Sequence, residues 1–224
     1  MQPAGQSAPV SSLLSSSKQR RKRTPRPDHF VALRLSCPAV TSAFAAVHSA
    51  LLRDDASVGE NLTRATEAHV TLAVLRLPPG EAALAAVSRA LDEASGHETF
   101  AALPQFLSLV GLASFDTRVA FLRFDGASVA PLTAVAAAVK DALLRNGCDV
   151  DVRGDTYPHV TVAKVRGNGR SNRQPRQLEL ASALSLGDAA SAVKVPHGHR
   201  LLLCSMLAPR AADGFYAVVA EGKG

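Results

Sequence analysis

Three cysteines in 224 residues, Cys37, Cys148 and Cys204, are too few and too scattered for a disulfide framework or a zinc cluster. They read as small buried hydrophobes in a reducing compartment. No uninterrupted apolar run reaches the roughly 18 residues that a membrane span needs, so no membrane partner is expected. The large apolar residues near the N-terminus, Val10, Leu13 and Leu14, are too few for a secretory signal. Acidic residues are missing altogether from residues 1–27, which hold Lys18, Arg20, Arg21, Lys22, Arg23 and Arg26. The remaining 197 residues hold 19 basic and 19 acidic groups, so the net charge of +6 belongs to the tail. A charge-balanced body is not a nucleic-acid-coating surface, and nucleotide affinity is expected only in a local cleft.

The tail, residues 1–27, is rich in Ser, Gln and Pro and lacks hydrophobic periodicity, which predicts disorder. Its cluster from Lys18 to Arg23 admits several readings: a nuclear-localisation signal, a loose nucleic-acid contact, or a merely solvated linker. An acid-free, Ser- and Arg-bearing N-terminus also fits an organelle transit peptide. Nuclear or cytoplasmic residence is the expectation. Residues 28–224, with ample apolar content for a core, read as one domain.

One tripeptide stands out in that domain. His-Val-Thr occurs at His69-Val70-Thr71 and again at His159-Val160-Thr161, where composition alone gives about 0.03 copies. A single strand histidine is usually structural, whereas two copies in matching contexts point to a repeat. Both lie in runs of β-forming residues, and side chains on a strand alternate faces. Each His therefore shares a face with its Thr, and Val70 and Val160 turn into the core. Upstream of each copy lies a strand, Phe30–Leu35 or Arg118–Phe124, and then a helix opened by a proline. Pro38 begins a stripe of Val40, Phe44, Val47 and Leu51; Pro131 begins one of Leu132, Val135, Val139 and Leu143. Asn146-Gly147 supplies a stop for the second helix. A β-α-β(His-x-Thr) unit used twice predicts a pseudo-two-fold cleft.

Between the copies, Pro78-Pro79-Gly80 breaks the chain. A helix with Leu84, Val87 and Leu91 follows and ends near Ser95-Gly96. Gln105–Leu112 and Arg118–Phe124 read as a hairpin turning near Asp116. Leu201–Met206 is a last strand. Strands and helices intermingle without strict alternation, which predicts an α+β fold of antiparallel-rich sheets with outer helices.

An imidazole titrates near ~6.5, so small environmental shifts hold one neutral and another charged close to neutrality. Two of them across a phosphodiester make a complete acid–base pair. One takes the proton of an attacking water or ribose hydroxyl, and the other protonates the departing oxygen. Thr71 and Thr161 would donate hydrogen bonds to the non-bridging oxygens. This scheme requires no metal and no cofactor.

These residues resemble the two-histidine (2H) phosphoesterase superfamily, the LigT-like or 2′,5′-RNA-ligase-like proteins. Its signature is two His-x-Thr/Ser motifs, one in each half of a bilobal, pseudo-symmetric fold. His69-Val-Thr-Leu is similar to the first motif and Tyr157-Pro-His-Val-Thr-Val-Ala-Lys164 to the second. Leu203-Cys-Ser-Met206 together with Gly214-Phe-Tyr216 looks most like one branch, the nuclear-localisation-signal-like central domain of A-kinase anchoring proteins. The resemblance covers about Asp28 to Glu221. It implies two antiparallel-rich sheets flanking a cleft, with His69, Thr71, His159 and Thr161 as the catalytic quartet. It also implies nucleoside monophosphates, short RNA or 2′,5′-linked oligoadenylates as ligands. No segment reads as an anchoring helix for a kinase subunit, and a monomer is expected.

Further candidates are less sharply defined. Tyr157, held extended before Pro158, either stacks on a base at the cleft rim or simply packs. Lys164 and Arg166 fall on the strand face opposite His159 by parity, so contact with substrate phosphate requires a bulge or a strand end. The basic segment Arg166–Arg176 reads either as a flap over substrate phosphates or as a solvated loop. His197-Gly-His199 lacks a third donor at ligand spacing and reads as a polar turn rather than a metal site. His29, His48 and His97 read as surface or interface residues.

Overall fold

A computed structural model describes residues 26–151, 157–165, 177–185, 192–198 and 200–223. The tail cluster Lys18–Arg23, the segment Arg166–Arg176 and His199 lie outside the described residues. The chain runs β1 (His29–Arg34), α1 (Pro38–Asp54), two short 3-10 turns, β2 (His69–Arg76), α2 (Glu81–Ser95), α3 (Glu98–Ala101), β3 (Phe106–Phe115) and β4 (Val119–Phe124). It continues with α4 (Gly126–Arg145), β5 (Asp149–Val150), β6 (His159–Lys164), α5 (Ala181–Leu184), β7 (Ala192–Pro196), β8 (Leu202–Ser205) and β9 (Val218–Glu221). Two sheets result, ordered β5-β2-β1-β8-β9 and β6-β4-β3-β7, and every pairing is antiparallel. The α+β, two-sheet architecture expected from the repeat is the one observed.

Both predicted β-α-β units are present, and each lends its helix to the other half. Helix α1 packs on β6 and β7 of the second sheet, and α4 packs on β2 and β5 of the first. This exchange draws β2 and β6 together although they belong to different sheets, with Cα atoms approaching within 8 Å. The main core, including Val31, Leu33, Val70, Leu72, Leu122 and Val160, fills the space between helices and sheets. A second, small cluster of Phe30, Ala32, Leu202, Cys204 and Phe215 lies on the opposite face of the first sheet. Strand β1 is consequently buried on both faces, which is why it reads as a continuous apolar run. Burial pushes the Cys204 thiol up to about 12, and all three cysteines are free.

Helix α4 starts earlier than Pro131 suggests. Asp125 caps it, its side chain accepting from the Ser128 amide at 2.8 Å, so the proline lies inside the helix rather than at its start. Proline needs no donor early in a helix, but a capping Asp outranks it as a boundary. Among the described residues α4 is also the one helix long and apolar enough to cross a membrane. Ser128, Thr133, Lys140 and Asp141 interrupt its apolar residues, so it contains no uninterrupted apolar run of that length. In this fold its buried stripe faces β2, β5 and α2. The hairpin turn near Asp116 is as predicted. Asp116 and Thr117 both adopt positive φ (49° and 52°), the conformation a two-residue turn needs to match strand twist. Strands β5, β7 and β9, which the sequence reading did not anticipate, are short or interrupted, too brief for a period-2 signal.

Candidate active site

His69 opens β2 and His159 opens β6, each entering its strand from an extended residue. In both, Nδ1 donates to the carbonyl two residues earlier: His69 to Glu67 at 2.7 Å, and His159 to Tyr157 at 2.7 Å. A carbonyl can only accept, so each neutral ring holds its proton on Nδ1 and leaves the Nε2 lone pair free. Val70 and Val160 are fully buried, which sends His69, Thr71, His159 and Thr161 to the opposite face, half-buried. The two imidazoles lie close enough that a charge on His159 opposes one on His69. The two strands that carry the motifs thus approach each other where the sheets adjoin.

Both strands carry the same irregularity at the same place. Thr71 pairs with Ala32 and Ala73 with Val31, so Leu72 is an extra residue. Thr161 pairs with Phe121 and Ala163 with Ala120, so Val162 is extra in β6. One residue after each Thr, two successive side chains turn inward: Leu72 with Ala73, and Val162 with Ala163. Parity then inverts. Lys164 pairs with Val119, on the same strand face as Phe121 and Arg123, which oppose Thr161 and His159. Strict alternation put Lys164 on the far face; the bulge returns it to the histidine face. Its charge also helps hold His159 below the ordinary imidazole range. In the first half the corresponding residue is Val74, so the cleft has a lysine on one side only. His48, read as a surface or interface residue, braces this bulge. Its Nε2 donates to the Val162 carbonyl at 3.1 Å, beside the Thr63 amide at 2.9 Å.

Two arginines were overlooked. Arg34 pairs directly with His69, and Arg123 with His159, at the ends of β1 and β4. The signal was available in the repeat itself, as Leu33-Arg34-Leu35 and Leu122-Arg123-Phe124. Arg34 is held by Asp213 at 2.7 Å and lies over the Phe215 ring at 4.4 Å. Arg123 reaches the Val110 carbonyl at 3.3 Å. Aromatic rings wall both histidines. Phe30 lies 4.8 Å and Tyr216 5.3 Å from His69, and Phe115 and Phe121 lie 5.2 Å and 5.1 Å from His159. Tyr157 is exposed and stands edge-on to Phe121 at 6.2 Å. Arg166 falls outside the described residues.

Desolvation by these walls is the main reason both histidines resist protonation. It pushes His69 down to about 4, helped by the charges of His159 and Arg210 and opposed by Glu67. His159 is lowered by its burial as well. Near neutrality both are uncharged acceptors through Nε2. His197 is buried, with Nε2 2.9 Å from the Pro104 carbonyl, which agrees with a structural turn. Among the described residues no group of three or more His, Cys, Asp or Glu is arranged to hold a metal ion.

Residues 27–223 match the sequence family described as the AKAP7 2′5′ RNA ligase-like domain. The chain belongs to that family. No curated protein sequence matches the chain. The 2′5′ RNA ligase-like domain is similar in structure to E. coli LigT in its apo form, with a TM-score of 0.52 and 16% identity over 87% of this chain and 95% of that one. It is similar also to E. coli LigT complexed with NADP+, with a TM-score of 0.50 and 16% identity over 89% and 98%. At such identity the likeness establishes the fold, that of the LigT-like 2H phosphoesterases. The expectation raised by the two His-Val-Thr motifs holds at the level of superfamily and branch.

Proposed function

We propose that this 2′5′ RNA ligase-like domain is a metal-independent phosphodiesterase acting on short RNA or 2′,5′-linked oligonucleotides. The observation that carries the reading is the paired tautomer. Both rings are pinned through Nδ1, which leaves each Nε2 available as the base or the acid that in-line displacement at phosphorus requires. One Nε2 accepts the proton of the attacking oxygen. The other, once protonated, delivers it to the leaving ribose oxygen. Thr71 and Thr161 donate to the non-bridging oxygens, and Lys164, with Arg166, offsets their charge. Tyr157 offers a ring to a base at the rim. LigT, whose fold the chain shares, has been crystallised with a dinucleotide, which supports a nucleotide ligand here. Incubating the protein with 2′,5′-, 3′,5′- and cyclic phosphodiesters in the presence of a chelator, with products identified by mass spectrometry, tests the proposal. Turnover of at least one linkage is expected, and none across the panel would overturn it.

A binding-only reading, in which the quartet grips a nucleoside monophosphate, draws on one feature: burial lowers the proton affinity of both histidines, which disfavours a preformed acid. The negative charge of a bound phosphodiester raises the proton affinity of both rings and supplies that acid on binding, which keeps the enzyme reading ahead. Lys164 tests the ligand side of either reading. Lys164→Met is expected to weaken AMP binding by about tenfold at low salt, with a smaller loss at high salt. Titration calorimetry at two ionic strengths measures it, and an unchanged affinity would remove Lys164 from the site.

A further inference from the structure

The two histidines are held by the same hydrogen bond, but the supports behind that bond differ. The residue two before His159 is Tyr157, an exposed phenol that cannot form an ion pair with a base. The residue two before His69 is Glu67, a buried carboxylate. Its Oε1 is met by Nε of Arg210 at 2.5 Å, across 143 residues of sequence. The guanidinium of Arg210 also lies over the Tyr216 ring, 3.7 Å from its centre. Tyr216 in turn stands edge-on to His69 at 5.3 Å and to Phe30 at 4.8 Å. Arg210 thus reaches the His69 ring by two routes. One runs through the Glu67 side chain to the Glu67 carbonyl that accepts the Nδ1 proton, and the other runs through the tyrosine that walls the ring.

The segment bearing these groups is itself anchored. The Ala211 amide donates to the Phe215 carbonyl at 2.9 Å, Asp213 takes Arg34 at 2.7 Å, and the Phe215 amide donates to Asp213 at 3.0 Å. Gly214, at φ +82°, makes the turn and passes over Thr66, where a Cβ would meet the Thr66 hydroxyl at 2.9 Å. Residues 210–216 therefore form a fixed strap between the end of β8 and the start of β2.

We infer that Arg210 is a positioning residue for His69, fixing its tautomer and ring orientation through Glu67 and Tyr216, and that the strap 210–216 belongs to the active site. The inference rests on the paired-histidine reading for its consequence in catalysis, though not for its geometry. A ring misplaced by even a fraction of an ångström loses alignment with the transferred proton, and such displacements cost on the order of 10- to 100-fold in rate. Among the described residues no equivalent brace is built from Tyr157, so the effect is expected in the His69 half.

Arg210→Met keeps an aliphatic side chain of similar length and removes the guanidinium that pairs with Glu67 and lies over Tyr216. It is expected to lower kcat by about 10- to 100-fold with KM changed less than about threefold. It is also expected to release the His69 ring into a mixture of Nδ1–H and Nε2–H tautomers, read from ¹⁵N imidazole shifts. The charged or titratable groups facing His69 are Glu67, Arg210, His159, Arg34 and the Tyr216 phenol. Losing Arg210 and exposing it to an unpaired Glu67 both favour protonation, so the His69 titration midpoint moves to higher pH. Arg210→Lys, which keeps the charge, should restore the midpoint and part of the rate and guards against an unfolded variant. Arg200→Met, which breaks the exposed pair Arg200–Glu221, is a control expected to change none of these readouts. An unaltered tautomer and midpoint in Arg210→Met would overturn the inference, whether or not a substrate has been found. Absence of turnover in the wild type, with the tautomer shift intact, would instead count against the phosphodiesterase reading alone.

Discussion

Replacing either His69 or His159 by asparagine is expected to lower kcat by about 10²- to 10⁴-fold while changing AMP affinity by less than about tenfold. Asparagine is the informative substitution because its amide nitrogen sits near the place of Nδ1 and can still donate to the carbonyl of Glu67 or Tyr157. The local strand entry survives, and only the Nε2 acid–base function is lost. Rate rather than affinity should suffer because, on the proposed reading, Thr71, Thr161 and Lys164 would still hold the phosphate. The double variant should be little worse than the worse single one, since a base without its acid, or an acid without its base, leaves the cycle incomplete. Single-turnover kinetics on the cleaved linkage, with calorimetric AMP binding alongside, would decide. Losses that multiply in the double variant would mean that the imidazoles act independently. A collapse of AMP affinity with the rate per bound substrate unchanged would favour the binding module.

That result would concern residues legible in the sequence, and the reason is periodic. His-x-Thr inside a β-run fixes which side chains share a face, and repetition of the whole β-α-β context supplies the partner. What was not legible follows from the same rule. A bulge is invisible to parity, so strict alternation alone places Lys164 on the far face and left the bulge that would return it only as a condition, although Leu72-Ala73 and Val162-Ala163, two apolar residues in succession after each Thr, are its trace. Arg34 and Arg123 lie in strands that were identified, yet register between strands is set by pairing that a single sequence does not show. The Glu67–Arg210 contact spans 143 residues and joins a 3-10 turn to an irregular strap, neither of which has a periodic signal. The exchange of helices α1 and α4 between halves is a tertiary choice, and it is what brings β2 beside β6.

The strongest expected pH effect follows from the walls around His69. An imidazole that titrates near ~6.5 in the unfolded chain and at about 4 in the folded one binds fewer protons when folded. Its folded form is therefore penalised as pH falls. At pH 7 the penalty is absent, by pH 5 it is about 2 kcal/mol, and below about pH 4 it levels near 3 kcal/mol. His159 and His48 are lowered too and act in the same direction over the same window. The carboxylates held below their ordinary range, Asp28, Glu93, Asp125 and Asp213, contribute only at lower pH, where they begin to protonate. Urea unfolding at pH 7 and pH 5 should show the loss in the wild type and a flatter dependence in His69→Asn. Bound AMP should reverse the sign of the trend for the site itself: its phosphate raises the proton affinity of both rings, so affinity should grow as pH falls from 7 toward 5. If the protein is the proposed phosphodiesterase, the same coupling would let two neutral imidazoles supply an acid, because the charge of a bound phosphodiester would recruit the proton. Proton NMR of the His69 ring settles the premise. A midpoint near 6.5 in the free protein would mean that water reaches the ring freely, and the recruitment of the acid by substrate would then have no basis.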